Sequence, residues 1–375
     1  MNRKETRVFI ELVRAGLWEK EVRLLPFGDI DYSVILKLAE EQSIVGLVAA
    51  GLEHAKDVKV PQEWALQFAG QTLQLEQRNK AMNAFLGELF VDLREANIYA
   101  ILVKGQGVAQ CYDKPLWRAS GDVDILLSDS NYEEAKAFLL PKGEMTEPEE
   151  ARKKHFAMRI GQWEVELHGT LYSGLSSRLD RVLDMLQDEI CYGVKFRSWM
   201  IGNAQVFLPD ANEDVVYVFA HILQHFYKGG IGLRQICDWC RLLYTYKDSL
   251  NYGLLESRIR RSGLMSEWKA FGALAIEYLG YPKDSMPLLN VNDNFNANLK
   301  RKGDRIMEFI LEVGNFGHNR ANSYFQKHSY FVQKCISAWR RVKDLCRHAT
   351  IFPVNSVRFF FGIMYNGIVS AVRGE

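Results

Sequence analysis

The sequence has little net charge, no apolar run of membrane-spanning length, no internal repeat and no low-complexity linker. Its 47 basic and 46 acidic residues almost cancel over 375 positions, so overall charge gives no support to a general polyanion-binding role, and nucleic acid is not expected as the main partner. The most apolar late stretch, FFFGIMYNGIVSAV, runs for about 14 residues between Arg358 and Arg373, whereas a hydrocarbon layer requires about 20. The expectation is core packing and no membrane span. In the opening segment MNRKETRVFIELVRAGLW, Glu11 and Arg14 interrupt the apolar run, which breaks the pattern of a secretory leader and points to a cytoplasmic protein. Six scattered cysteines without such a leader argue against a disulfide framework. Cys237 and Cys240 in CDWC have two further zinc ligands within imaginable reach, His221 and His225, but the pair sits inside an amphipathic helical pattern, and buried thiols are expected instead.

What is present is enough apolar residue to fill more than one core, 48% of the chain. Three stretches follow from its periodicity. Residues 1–95 repeat apolar positions at helical spacing, as in EWALQFAGQTLQLEQRNKAMNAFLGELFVDLREA. Residues 96–205 read as a small mixed α/β domain: NIYAILVK as a strand, GQG as a tight turn, VAQCY as a short helix, and SGDVDILLS as a strand with one buried face. NYEEAKAFLL follows as a helix capped by Asp129 or Ser130, and QWEVELHG as a strand with Trp163, Val165 and Leu167 on one side and Glu164, Glu166 and His168 on the other. Residues 206–375 return to helical spacing in DVVYVFAHILQHFY, LRQICDWCRLLYTY and the basic SAWRRVKDLCRH. The fold class expected is α+β, a small mixed-sheet domain between helical N- and C-terminal regions.

Transfer of phosphoryl or nucleotidyl groups needs hard divalent cations, which take oxygen ligands and stand about 3.5–4 Å apart in two-ion sites. Asp122 and Asp124, two apart on a strand, project to one face with Cα atoms about 6.5 Å apart. A third acid on an adjacent strand would complete the cage and can accept a proton. Glu166 fills that place, although period-two alternation alone does not separate it from Glu164. Upstream, Lys104, Gly105, Gln106 and Gly107 fall between strand and helix, where backbone N–H groups and glycine allow phosphate to approach. Each signal alone is weak. Their order carries the reading: glycine turn, paired aspartates about 17 residues later, strand acid about 40 residues beyond.

On these residues the chain resembles the uncharacterised nucleotidyltransferase family of the DNA polymerase β-like superfamily. The matching features are the Lys104-Gly105 turn, Arg118, the Gly121–Asp124 strand motif and the later Glu166-Leu167-His168 segment, with His221, Arg234 and Asp238 filling a subsequent helical pattern. The resemblance implies transfer of a nucleotide from an NTP to a hydroxyl of an unidentified small-molecule or protein acceptor. It implies magnesium, two ions, on Asp122, Asp124 and Glu166; phosphates at Lys104 to Gly107 and Arg118; and an acceptor pocket near His168, His221, Arg234 and Asp238. One departure is the turn itself, which reads Gly-Gln-Gly where the superfamily often has Gly-Ser, leaving the grip to backbone amides, Lys104 and Arg118. From the residues alone, Arg118 serves equally well as a tether of the Pro115 loop, His168 as a satisfied strand-end residue, His221 and His225 as helix packing, and Arg234 with Asp238 as a helical ion pair. The rival function is a catalytically inactive module on the same fold that senses nucleotide or binds protein, in the manner of an antitoxin.

Overall fold

A computed structural model of the chain describes residues 3–149, 154–289, 297–317 and 330–373. Helices α1 (Arg3–Trp18), α2 (Tyr32–Glu41), α3 (Val45–Glu53) and the long α4 (Gln62–Glu95) come first. The sheet elements follow: β1 (Ala100–Val103), α5 (Gly105–Ala109), β2 (Val123–Leu127), α6 (Asp129–Leu139), β3 (Glu144–Met145), β4 (His155–Ile160), β5 (Trp163–His168), α7 (Ser177–Tyr192), β6 (Phe196–Ile201) and β7 (Ala204–Pro209). The remainder is helical: α8 (Ala211–Lys228), α9 (Leu233–Thr245), α10 (Tyr252–Ser262), α11 (Met265–Leu279), α12 (Ala297–Val313), α13 (Tyr330–Ala349) and α14 (Pro353–Arg373). This is the α+β architecture expected, a small mixed sheet with helical flanks.

Five strands form the sheet in the order β1-β2-β5-β4-β3, with β2 and β5 parallel and their neighbours antiparallel. Val123, Ile125, Leu127, Val165 and Leu167 point to one side, where they meet Met82, Leu86, Phe90 and Leu93 of α4. β2 departs from the expected single buried face, because all five of its residues are buried. Leu126 joins the helical core behind the other side, and Asp124 turns into a cavity on that side. α6 begins at Asp129 behind Ser128, so Asp129 lies in the first turn rather than at the cap. Not anticipated from the sequence was the β6–β7 hairpin, although Gly202-Asn203 between two alternating runs is the dipeptide such a turn uses, and Gly202 takes φ +59°.

The helical core is continuous from α1 to α12 and includes α14 residues such as Phe359. α1 and α3 approach through glycine. A Cβ added to Gly51 would stand 2.1 Å from the Leu12 carbonyl oxygen, and one added to Gly16 would stand 2.0 Å from that of Leu47. The colliding atoms are backbone, which cannot rotate away. Gly51→Ala is therefore expected to lower stability by about 1–3 kcal/mol, read as a shift of the urea midpoint, whereas Gly70→Ala on α4, with open space around it, should not destabilise.

Candidate active site

Lys104, Asp124 and Glu166 are brought together by three strands. The β2–β5 ladder pairs Asp124 with Glu166, and the β4–β5 ladder sets His155 opposite His168. Asp122 ends the loop before β2. One oxygen from each of Asp122, Asp124 and Glu166 lies within 4.8 Å of the other two. Register separates the two acids left open by alternation. Glu166 faces Asp124, while Glu164 is one step past the end of that ladder and stands 3.7 Å from Arg159.

Asp124 Oδ1 accepts from Lys104 Nζ at 2.6 Å and from His168 Nε2 at 2.8 Å. His155 Nε2 lies 3.1 Å from Glu166 Oε2, and His168 Nε2 lies 3.5 Å from the same oxygen. These contacts set the charges. Burial opposes ionisation of both carboxylates, but Lys104 and His168 hold Asp124 below the usual range, and His155 and His168 do the same for Glu166. Asp122 moves the other way, raised by the negative charge of Asp124 and by desolvation. Burial likewise works against the Lys104 ammonium and is outweighed by Asp124 and the other anions around it.

Lys104 adopts φ +57° and ψ −145°, a backbone region that L residues avoid at a cost of order 1–3 kcal/mol. Gly105 follows at φ +41°. α5 starts at Gly105 itself, three residues earlier than the helix expected from VAQCY, so Gln106 and Gly107 stand in its first turn. Gln106 is buried, with Nε2 donating to Asn79 Oδ1 at 3.1 Å, and a Cβ on Gly107 would meet Leu208 at 2.8 Å. Both face packing partners, and only Lys104 and Gly105 of the four line the cavity.

That cavity, about 360 Å³, has the sheet acids on one side and α8 and α9 on the other, with His221, Arg234 and Asp238 in its lining beside His168. Asp238 takes a bidentate pair from Arg118, Nε to Oδ1 at 3.0 Å and Nη2 to Oδ2 at 2.7 Å, and a Tyr112 hydroxyl at 2.8 Å. Arg234 Nη1 donates to the Ala119 carbonyl at 2.7 Å. Arg118 is thus the tether of its loop, completed by Ser120 at 2.8 Å and by Asn79 Nδ2, which binds the Leu116 and Arg118 carbonyls at 2.8 Å each. Cys237 and Cys240 are fully buried and belong to neither cluster of candidate ion-binding groups among the described residues. Residues absent from the sequence-based site are His155 and Tyr217. His155 has no motif of its own and becomes visible only through the β4–β5 register, and Tyr217 lies one helical turn before His221.

His221 Nε2 and His225 Nε2 are 3.0 Å apart. Burial first, then the Lys104 charge, pushes both imidazoles down, His225 to about 4. A histidine neutral in the fold and protonated near 6.5 when unfolded contributes stability that is complete above about pH 6.5 and is lost as pH falls toward 4. The denaturation midpoint of His225→Gln should accordingly decline less steeply than that of the parent chain across this interval.

Asp122 just before β2, Asp124 on it, Glu166 on the neighbouring parallel strand and the Lys104-Gly105 turn all line one cavity. The chain belongs to the uncharacterised nucleotidyltransferase family, whose model matches residues 28–280, from the approach to α2 to the end of α11. No curated protein and no solved structure matches it.

Proposed function

We propose that the protein is a magnesium-dependent nucleotidyltransferase that moves an NMP group from an NTP to a hydroxyl of its acceptor. The convergence of Asp122, Asp124 and Glu166 within 4.8 Å beside Lys104 carries this reading. The donor set fits magnesium: the oxygens are hard ligands, and the mutual repulsion that raises Asp122 is relieved by a cation between the carboxylates. Bound there, magnesium supplies neutralisation of the triphosphate and alignment of the attacking and leaving oxygens.

The chain's own groups divide the remaining work. Lys104 and the Gly105 backbone receive the phosphates, and Arg118 holds the intervening loop through Asp238. The acceptor oxygen attacks the α-phosphorus, a new P–O bond forms as the bond to pyrophosphate breaks, and Glu166 takes the acceptor's proton. The acceptor lies against α8 and α9, between His168, His221 and Arg234. Gln235 supports this placement, since it lines the cavity and its Nε2 is buried with no protein partner. In this division residues 96–205 carry the chemistry, 206–375 the acceptor wall and 1–95 the supporting scaffold. No described helix is long and apolar enough to cross a membrane, and the balanced charge favours a small-molecule or protein acceptor over nucleic acid.

Incubation with labelled NTPs and a panel of hydroxyl acceptors should yield labelled product that disappears in the Asp122→Ala, Asp124→Ala double variant. Transfer surviving in that variant would sink the assignment. Calorimetric ATP binding in magnesium with no turnover across the panel would favour the nucleotide-sensing module.

A further inference from the structure

Beside the carboxylate cluster stands a second convergence with different chemistry. His155 Nε2 and His168 Nε2 approach one oxygen, Glu166 Oε2, at 3.1 and 3.5 Å, and the three donor atoms lie within 4.8 Å of one another. A tetrahedral ion with bonds of about 2.0–2.1 Å sets neighbouring donors about 3.3–3.4 Å apart. Two edges of the triangle lie close to that length, and ion binding would displace the protons now in these contacts, including the one that His168 Nε2 gives to Asp124 Oδ1. The register that aligns Asp124 with Glu166 also seats His155 and His168 side by side on adjacent strands, their ring centroids 5.0 Å apart. The three side chains retain 14–25% exposure, which leaves a path for an ion from solvent.

We infer that His155, His168 and Glu166 form a site for a borderline divalent ion such as Zn²⁺ or Co²⁺, adjoining the all-oxygen Asp122–Asp124–Glu166 set and sharing Glu166 with it. Imidazole nitrogen suits such ions, whereas magnesium takes oxygen and holds its water. The two positions should thus sort cations by ligand type. That this ion assists transfer rests on the nucleotidyltransferase reading; that it binds does not.

The test uses the full chain, stripped with a chelator, and needs no nucleotide. Calorimetry with Zn²⁺ alone and with Mg²⁺ alone should give one tight Zn²⁺ equivalent. His155→Ala should weaken Zn²⁺ binding about tenfold or more and by clearly more than it weakens Mg²⁺ binding, and Asp122→Asn should do the reverse. Co²⁺ should produce a visible d–d band without thiolate charge transfer, and His155→Ala should lose it. A thermal melt checks folding, and His155→Gln provides a second variant of closer shape, expected to match His155→Ala. Equal Zn²⁺ affinity in the parent and both His155 variants, or a thiolate band on Co²⁺, overturns the site. Zn²⁺ binding as described in a chain that transfers no nucleotide would leave the site standing and remove the catalytic reading.

Discussion

Asp124→Asn should lower kcat/KM for nucleotidyl transfer by about 10³-fold or more, corresponding to roughly 4 kcal/mol of lost transition-state stabilisation. The amide keeps the shape of the carboxylate but offers one neutral oxygen where a full negative charge faces Lys104 and His168. The same substitution should cost about 3 kcal/mol of stability, because two cationic partners around a buried position lose their anion. Asp122→Asn separates the two effects. It should abolish transfer to a similar extent, yet leave the urea midpoint in chelator unchanged or raised, since it removes the charge that Asp124 repels. Single-turnover rates with denaturant titrations on both variants check this pattern. Loss of stability in both would mean that the aspartates serve the fold rather than the reaction.

Asp238→Ala is expected to be strongly destabilising, by about 3–5 kcal/mol. Asp238 is buried on α9 and carries both guanidinium contacts from Arg118 as well as the Tyr112 hydroxyl. Removing it strands a positive charge at a site 8% exposed. Arg118→Met should cost less than Asp238→Ala because its stem still packs, and the double variant should fall well short of the sum, by 1 kcal/mol or more. Denaturant titrations of the four chains measure the coupling directly. A sum that adds would show that the pair contributes nothing beyond its separate parts.

Much of this architecture was legible from period and order. The alternation of QWEVELHG gave β5 its buried and polar faces, and the run NIYAILVK located β1 to within a few residues. What could not be read was anything that depended on register or on distant partners. Glu164 and Glu166 are equivalent until the β2 ladder chooses between them. Arg234 and Asp238 satisfy a helical ion-pair rule, but a guanidinium 120 residues away binds Asp238 through two nitrogens. The Gln106 side chain packs on α4 and the Gly107 Cα on β7, contacts that local sequence does not encode.

α8 has a division of labour with a wider consequence. Phe219, Leu223 and Phe226 lock it into the helical core, while His221, Gln224 and His225 line the cavity opposite the acids. Substitutions along that second stripe alter what is seated opposite the carboxylates without disturbing either the β2–β5 ladder or the hydrophobic anchor. Under the proposed chemistry, a lineage can therefore change its acceptor by drifting at a few positions on one helix, with the transfer apparatus inherited intact.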